Sequence, residues 1–176
     1  PDLRLDKLSS LINPQKLIPT TVKIVDIAGL VKGASKGEGL GNKFLSNIRE
    51  TDAIIHVLRC FDDPNIVHVD GRINPLSDKE VVEYELILKD IEIIEKRLDK
   101  IKKTLRSGSN ESKKEIDILE KVLNQLQNMS VNRFDFSDDQ FEEFIKPLEL
   151  ISFKPILYVC NVGEDDVTDG NSYVED

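Results

Sequence analysis

Residues 22–43 read VKIVDIAGLVKGASKGEGLGNK, and the fold class of the chain follows from this stretch. The β-branched apolar residues within positions 22–25 predict a short buried strand that ends at Asp26. Five of the nine glycines of the chain then lie between positions 29 and 41. A carboxylate after a buried strand, followed by a glycine-rich loop, is where an α/β sheet places its ligand chemistry.

The first four residues of the loop region, Asp26-Ile27-Ala28-Gly29, match the DxxG motif of P-loop NTPases. In that motif the aspartate lies near Mg²⁺ and the glycine amide reaches the γ-phosphate of the nucleotide. A turn at the end of a strand gives the same letters by chance, because motifs this short recur often. Both interpretations stay open on these four residues alone.

A longer string is more specific. From Asp26 to Phe61, including VDIAGLVKGASKGEGLGNKFLSNIRETDAI and HVLRCF, the sequence resembles the Obg-like ATPases of the YchF family, which are P-loop proteins related to GTPases. The resemblance continues in the opening PDLRLDKL and in residues 19–21, 68–71 and 161–164. It implies binding of Mg·ATP, slow hydrolysis, a nucleotide-dependent switch, and association with ribosomes or translation factors.

One part of the family pattern is missing from these residues. Members of the resembled family begin with a strand and a G-x-x-x-x-G-K-[ST] phosphate loop, and this chain, starting at Pro1, has neither. The phosphate loop supplies the amide cradle and the lysine that hold the β- and γ-phosphates. We therefore expect the 176-residue chain alone to bind ATP weakly or not at all.

Two further runs predict strands on either side of a helical region. Residues 52–60 form an almost continuous apolar run, as expected of a parallel strand covered on both faces, and residues 155–160 form another. An amphipathic helix at 41–50 precedes the first of these runs. The carboxyl ends of three parallel strands would then bring together Asp26, Arg59 and Asn161 at one nucleotide site.

The middle of the chain predicts a helical hairpin. Apolar residues recur with heptad spacing on both sides of a turn at Ser107–Asn110. The fold class is therefore α/β, a partial P-loop NTPase parallel sheet with an inserted antiparallel α-helical coiled-coil hairpin. The hairpin takes residues 79–135, and an incomplete nucleotide-binding domain takes 1–78 and 136–176. The heptad positions are Ile87, Ile91, Ile94, Leu98, Ile101 and Leu105 in the first helix, and Ile116, Leu119, Leu123 and Leu126 in the second.

Three other segments carry local signals. Residues 3–12 predict a helix of about two turns. Ser137, followed by acidic residues, predicts the N-cap of a helix that extends to about Ile151. The acidic, Gly- and Asn-containing residues 163–176 predict a loop.

The stretch Asn161-Val162-Gly163-Glu164 stands where GTPases carry Asn-Lys-x-Asp. The aspartate of that motif accepts two hydrogen bonds from guanine, and lengthening it to Glu164 moves the acceptor atoms by more than about an ångström. Val162 replaces the lysine that packs along the base. Both changes argue against recognition of guanine. The resemblance implies a preference for ATP as well, because YchF-type proteins carry NxxE and favour ATP. A strand-end turn capped by Asn161 is the structural alternative.

The residue that follows DxxG raises the question of catalysis. Ras-like GTPases have a glutamine there to orient the attacking water, and this chain has Leu30, which cannot do so. The resembled family keeps a histidine in the loop after the next strand, so we assign a catalytic role to His68 as a hypothesis. His56 lies within the predicted strand and is interpreted as a core residue. The predicted nucleotide site thus comprises Gly29, Asn161, Val162 and Glu164, with Asp26 toward Mg²⁺ and His68 toward water.

Bulk composition restricts the partners. The net charge of −9 argues against broad electrostatic binding to DNA, RNA or an anionic membrane, although it does not exclude a local basic patch. No run approaches the roughly 18 apolar residues that span a bilayer, and no signal peptide is visible, so we expect a cytoplasmic protein. Cys60 and Cys160 are expected to be buried, reduced thiols on neighbouring strands, with a disulfide between them as the alternative.

The competing functional class is a non-catalytic interaction module whose helical hairpin binds a protein partner. The hairpin itself also admits two interpretations, a solvated spacer with an apolar seam or a surface that recognises another macromolecule. A phosphate loop ahead of Pro1 would favour the ATPase.

Overall fold

The structure is a computed structural model that describes residues 2–27, 40–66, 71–104, 110–132 and 135–176. Its side-chain description leaves out residues 40–44 and Thr104. In this part of the chain, none of the helices is both long enough and apolar enough to span a membrane. In chain order the helices and strands are α1 (Leu3–Ile12), α2 (Leu40–Arg49), β1 (Ile54–Arg59), α3 (Pro75–Thr104), α4 (Asn110–Gln127), α5 (Asp138–Gln140), β2 (Ile156–Asn161) and α6 (Ser172–Glu175).

The sheet of the described residues has two parallel strands, β1 and β2. Their register pairs Ile54 with Ile156 and Arg59 with Asn161, so both carboxyl ends reach the same edge. The strands predicted at 52–60 and 155–160 are thus confirmed. The strand predicted at 22–25 is wrong for this structure, because these residues have no regular secondary structure.

No element in the described part of the chain covers one face of the sheet. Ile55, Val57 and Leu157 are between 51% and 61% exposed, so the expectation of a strand buried on both faces is wrong. Alternate residues of β1 point to opposite faces, and Leu58 on the other face is buried. Half of the apolar residues in the run at 52–60 therefore lie on a sheet face that no described element covers.

Most of the core lies between the helices. α3 and α4 contact each other, and their inward residues form a cluster with Phe136, Ile145 and Leu150. The heptad positions predicted from the sequence are all buried or partly buried wherever their side chains are described. Ile118 and Val122 of α4 join the same cluster, although the strict heptad did not include them. The face that α4 buries is therefore wider than an a/d seam.

A second, smaller cluster connects α2 and α3 with the residues before β2. It contains Leu45 and Ile48 of α2, Leu86 of α3, and Ile151. Leu45 and Ile48 belong to the amphipathic face expected for this helix, which confirms that prediction. The cluster places the helix after the glycine-rich stretch directly against the base of α3.

The segment after α4 begins with a predicted cap. The Ser137 hydroxyl accepts a hydrogen bond from the Gln140 amide at 3.2 Å, and the Gln140 side chain accepts one from the Ser137 amide at 3.1 Å. The helix continues as a π turn at Phe141–Ile145 and a 3₁₀ turn at Lys146–Leu148. It ends at Glu149, which has a φ of 48°. The N-cap prediction is confirmed, and the helix is shorter than expected.

Candidate functional site at the carboxyl edge of the sheet

The carboxyl ends of β1 and β2 lie side by side. Arg59 and Asn161 are partners in the register, and the Cys60 amide donates a hydrogen bond of 2.7 Å to the Asn161 carbonyl. Two of the three polar strand ends predicted from the sequence therefore meet at one edge. Asp26, the third, is exposed and has no regular secondary structure.

Arg59 organises the loop that follows its own strand. Its guanidinium donates to the carbonyls of Phe61, Asp63 and Ile66 at 3.2, 3.3 and 3.0 Å. The same group lies 4.8 Å from the centre of the Phe61 ring, a cation–π distance. With its donors directed at backbone carbonyls, Arg59 shapes the loop after β1. The sequence had indicated a residue that converges on the nucleotide, and the contacts show a structural role.

The stretch Asn161-Val162-Gly163-Glu164 leads from β2 into a 3₁₀ turn at Glu164–Asp166. The side chains of Asn161 and Glu164 are exposed, and Val162 is partly buried. In the described part of the chain neither Asn161 nor Glu164 uses its side chain in a hydrogen bond. An exposed amide, an apolar side chain and an exposed carboxylate within four residues are groups of the kind that contact a purine, and the assignment of these residues to a nucleotide base stays a prediction.

Two other predicted site residues, Gly29 and His68, lie outside the described residues. Asp26 is described and exposed. Within the described ranges, no group of three or more His, Cys, Asp or Glu side chains is arranged to hold a metal ion. The roles assigned to Asp26, Gly29 and His68 therefore stay predictions.

Asn171 ties the last residues of the chain to the edge, which sequence reasoning missed. Its side-chain amide donates to the Cys60 carbonyl at 2.8 Å and to the Asp166 carboxylate at 2.7 Å. Gly170, with a φ of 76°, provides the turn that brings Asn171 to this position. Residues 163–176 thus form short turns and α6, and the prediction of a loop there is wrong. A glycine–asparagine pair was the available signal.

Tyr173 adds a second connection to the loop after β1. Its hydroxyl donates to the Asp62 carboxylate at 2.8 Å. That hydrogen bond raises the pKa of Tyr173 above its ordinary value, because the carboxylate favours the protonated phenol. Asn171 and Tyr173 together hold the segment after Glu164 against the loop after β1.

The two cysteines differ in exposure. Both are free thiols, as predicted, but Cys60 is buried and Cys160 is exposed. Burial, together with the neighbouring Cys160 thiol, raises the pKa of Cys60 to about 11. The expectation that both thiols are buried is wrong for Cys160, because it lies in the largely exposed strand β2.

A buried carboxylate connects α3 to the turn before β2. Asp90 is fully buried and accepts hydrogen bonds from the Ile151 amide, the Ser152 amide and the Ser152 hydroxyl at 3.0, 2.7 and 2.6 Å. Burial raises the pKa of Asp90, against the hydrogen bonds and the charge of Arg49, which lower it. Asp90 occupies a heptad-flanking position of α3, so its spacing alone gave no sign of this role.

Lys154 joins the same turn to the end of α2. Its ammonium donates to the Arg49 carbonyl at 2.9 Å and to the Thr51 carbonyl. A cation at a helix C-terminus satisfies carbonyls that lack an intrahelical partner. The turn before β2 therefore holds α3 through Asp90 and α2 through Lys154.

His56 lies on β1 with its ring centre 5.7 Å from that of Tyr158 on β2. Burial lowers the pKa of His56, partly offset by Glu83. The hydroxyl of Tyr158 donates to Glu83, and burial followed by this contact raises the pKa of Tyr158 to about 12. His56 is half-buried in a structural cluster, close to the role expected from its place in a strand.

Comparison with known proteins agrees with this geometry. The chain matches the model of the family described as 50S ribosome-binding GTPase over residues 8–161. The ribosome-binding ATPase YchF of Escherichia coli O157:H7 is 47% identical over 176 residues, which cover 99% of this chain and 48% of that protein. The protein of the same name in Bacillus subtilis is 48% identical over 177 residues, with the same coverage of 99% and 48%.

A solved structure gives the same result in three dimensions. The YchF GTPase of Schizosaccharomyces pombe superposes with a TM-score of 0.79 at 38% identity, over 99% of this chain and 48% of that one. The chain thus spans about half the length of the curated relatives and the solved structure that it matches. The bacterial relatives are named ATPases and the yeast protein a GTPase.

Proposed function

Because this chain belongs to the 50S ribosome-binding GTPase family and is homologous to YchF proteins along 99% of its length, we propose that it is part of a P-loop ATPase. The whole protein would bind Mg·ATP, hydrolyse it slowly, and use the cycle as a switch. Residues 1–78 and 136–176 would belong to the nucleotide domain, and residues 79–135 would form an antiparallel coiled-coil arm.

The exposed turn after β2 is the observation that supports the proposed preference for ATP. Asn161 and Glu164 present an amide and a carboxylate at the carboxyl edge of a parallel sheet, where α/β folds bind their ligands. The longer glutamate at position 164 does not reproduce the paired acceptor geometry that guanine requires. We propose that Asn161, Val162 and Glu164 contact the adenine base.

The roles around the phosphates are proposed on sequence grounds. Asp26 would hold Mg²⁺ through a water molecule, and the Gly29 amide would contact the γ-phosphate. Bound Mg²⁺ would neutralise phosphate charge. His68 would accept a hydrogen bond from water as a neutral imidazole, since Leu30 has no polar group to do so.

The packing around the turn before β2 supports a switch. α2 follows the glycine-rich stretch, and Lys154 holds the end of this helix while Asp90 holds α3. A change in the glycine-rich stretch would therefore be transmitted through α2 to the base of the arm. The buried apolar cluster that α3 and α4 share supports an arm that moves as one piece, and the ion pairs Arg97–Glu115 and Lys102–Glu120, at 2.6 and 2.8 Å, connect the two helices at its surface.

The printed names of the bacterial relatives support a ribosomal partner. We propose that the whole protein associates with ribosomes or their translation factors, and therefore works in the cytoplasm.

Calorimetry with ATP and GTP tests the base assignment. The chain is extended to include a G-x-x-x-x-G-K-[ST] loop, and Glu164→Asp is compared with the parent. We expect Glu164→Asp to shift the ATP-to-GTP affinity ratio toward GTP by roughly tenfold, because the shorter carboxylate approaches the guanine geometry. The matched control is Asp165→Glu at the exposed neighbouring position, which should leave the ratio unchanged.

Two results would contradict the proposal. If the extended chain binds neither nucleotide, the ATPase assignment fails. If the 176-residue chain alone binds ATP at micromolar concentration, the phosphate loop is not required and the expectation of a weak site is wrong. The role of His68 is tested separately in the extended chain, where His68→Ala should lower turnover with little change in ATP affinity. Equal turnover of variant and parent would refute that role.

A further inference from the structure

The main chain of Cys60, the first residue after β1, holds the segment after β2 at two points. The Cys60 amide donates to the Asn161 carbonyl at 2.7 Å, and the Cys60 carbonyl accepts from the Asn171 side-chain amide at 2.8 Å. Cys60 is fully buried, so both hydrogen bonds attach to a part of the chain that is packed inside the fold. The two ends of residues 161–171 are therefore fastened to one residue.

Asn171 also fastens the middle of this segment. Its side-chain amide donates a second hydrogen bond to the Asp166 carboxylate at 2.7 Å. The Asp166 carbonyl accepts from the Gly170 amide at 2.8 Å, and the Asp166 amide donates to the Gly163 carbonyl at 3.0 Å. One asparagine side chain can make both of its contacts at once, because its NH₂ group carries two donors. The 3₁₀ turn that ends at Asp166 is thus tied to the end of β1 through Asn171.

Glu164 depends on this turn for its position. It is the first residue of the 3₁₀ turn, and Asp166 is the last. The Glu164 side chain is exposed and makes no hydrogen bond with any residue that the structure describes. A side chain without contacts of its own is placed by the backbone that carries it. The hydrogen bonds of Asp166 therefore help to decide where the Glu164 carboxylate lies relative to the end of β2.

We propose that Asn171 is a positioning residue for selection of the nucleotide base, because it holds the turn that carries Glu164 against the end of β1. Asn171 contacts Cys60 and Asp166, so it acts through Glu164 and does not touch the nucleotide. Its role rests on the proposed contact of Glu164 with the adenine base. A displacement of the carboxylate by about an ångström changes which hydrogen bonds it can make, and adenine and guanine differ in those bonds.

Calorimetry with Mg·ATP and Mg·GTP tests this role in the chain extended to include the G-x-x-x-x-G-K-[ST] loop. In the parent, the Asn171 side-chain oxygen caps α6 by accepting from the Tyr173 amide at 3.1 Å. Asn171→Asp keeps this cap and the size of the side chain, but it removes both donors. Asn171→Ser also keeps a capping oxygen, adds no charge, and is too short to bridge the Cys60 carbonyl and Asp166.

The matched control is Asn124→Asp. Asn124 lies exposed on α4, away from the edge of the sheet, and its side-chain oxygen accepts from the Asn128 side chain at 3.2 Å. The substitution makes the same chemical change and adds the same charge as Asn171→Asp, and the oxygen that accepts from Asn128 is retained. Circular dichroism confirms that every variant keeps the helical content of the parent.

We expect both Asn171 variants to lower the ATP-to-GTP affinity ratio by about tenfold, because the Glu164 carboxylate is no longer held in place. Asn124→Asp should keep the ratio within about twofold of the parent. A variant that only destabilises the fold weakens both nucleotides alike and leaves the ratio unchanged. An unchanged ratio in the two Asn171 variants, or an equal change in Asn124→Asp, would overturn the proposal.

A double-mutant cycle shows whether Asn171 acts through Glu164. Once Glu164→Ala has removed the carboxylate, Asn171→Ser has nothing left to misplace. The double variant should therefore have the same ATP-to-GTP ratio as Glu164→Ala alone, within about twofold. A further tenfold fall in the double variant would mean that Asn171 affects the base by another route, and the positioning role would be refuted.

The single variant Glu164→Ala separates this inference from the proposed function. If Glu164→Ala lowers the ATP-to-GTP ratio and the Asn171 variants do not, the base assignment stands and the positioning role fails. If Glu164→Ala keeps the ratio of the parent, or if the extended parent binds neither nucleotide, the proposed function fails and the positioning role fails with it.

Discussion

Helices α3 and α4 differ from the strand predicted at residues 22–25 in how well their apolar side chains are buried. Ile94 of α3 and Leu119 of α4 are 0% exposed, whereas Val22 and Ile24, which the sequence marks as equally apolar, are 85% and 77% exposed. The apolar pattern was clear in both regions. It produced the expected element in α3 and α4 but not at residues 22–25, although the strands predicted at 52–60 and 155–160 did form.

The difference follows from where each element finds its hydrogen-bond partners. A helix pairs its backbone groups within one segment, so α3 and α4 need each other only to cover their apolar faces. A strand pairs its backbone with a neighbouring strand, and residues 22–25 have none among the described residues. The spacing of apolar residues is therefore almost sufficient to predict a helix. For a strand, it identifies the strand itself but not the neighbouring strand that must pair with it.

Amide hydrogen exchange should show the largest difference between the paired strands and residues 22–27. The amides of Ile54 and Cys60 donate across the sheet at 2.9 and 2.7 Å, whereas the structure gives residues 22–27 no backbone hydrogen bond with any described residue. We expect the two sheet amides to exchange at least about a hundredfold more slowly than those of residues 22–27. Mass spectrometry of deuterated peptides measures this. Equal exchange in the two regions would show that residues 22–27 are protected in solution and would remove the contrast.

Cavity-forming substitutions should separate the helical core from the sheet face. Leu119→Ala removes a fully buried side chain and should destabilise the chain by about 3 kcal/mol. Val57→Ala on the uncovered sheet face, where Val57 is 59% exposed, is the control and should cost less than about 1 kcal/mol. Urea denaturation gives both values. A cost for Val57→Ala as large as that for Leu119→Ala would mean that the sheet face is covered.

Removing the carboxylate of Asp90 should destabilise the chain more than removing an exposed carboxylate of the same helix. Asp90→Ala leaves the buried Ile151 amide and the partly buried Ser152 amide without their acceptor, so we expect a loss of about 2–3 kcal/mol. Asp99→Ala is the exposed control and should change stability by less than about 0.5 kcal/mol. If both variants unfold at the same urea concentration, the carboxylate does not stabilise the junction of α3 with the turn before β2.

The contribution of Asp90 to the stability of the fold should change with pH in a defined direction. Burial raises the pKa of Asp90 in the folded chain, so folding favours its protonated form. The stability gained from protonation is complete below the unfolded pKa near 4 and is lost as the pH rises through the folded value. The stability of the parent relative to Asp90→Asn should therefore decline as the pH rises above about 4. An increase over that range, in urea titrations at several pH values, would contradict the raised pKa.

Loss of the Ser137–Gln140 cap should give the smallest change in stability. Ser137→Ala removes the hydroxyl that accepts from the Gln140 amide, and we expect a loss of about 1 kcal/mol. Ser130→Ala, an exposed residue between helices, serves as the control and should be neutral within about 0.5 kcal/mol. Thermal unfolding of the two variants compares them directly. A neutral Ser137→Ala would show that the π and 3₁₀ turns after α5 are held by Ile145 and its neighbours alone.

The candidate site was predictable to the extent that it depends on strand ends. Arg59 and Asn161 could be paired from the sequence, because parallel strands that follow one another bring their carboxyl ends to one edge. The network of Asn171 and Tyr173 was not predictable, since it joins residues 111 positions apart in the chain. Asp90 was missed for a similar reason, because its partners are 61 and 62 residues away.

The sequence by itself determined the helices α1 to α4, the N-cap at Ser137, the two strands and their order along the chain. Each of these depends on spacing or caps within a few residues, which periodicity records directly. Only the tertiary structure decided that residues 22–25 are not a strand, that one sheet face is uncovered, and that Asp90 and Lys154 fasten α3 and α2 to one turn. Strand pairing, burial and long-range hydrogen bonds require a partner brought close by folding, and a local pattern does not identify that partner.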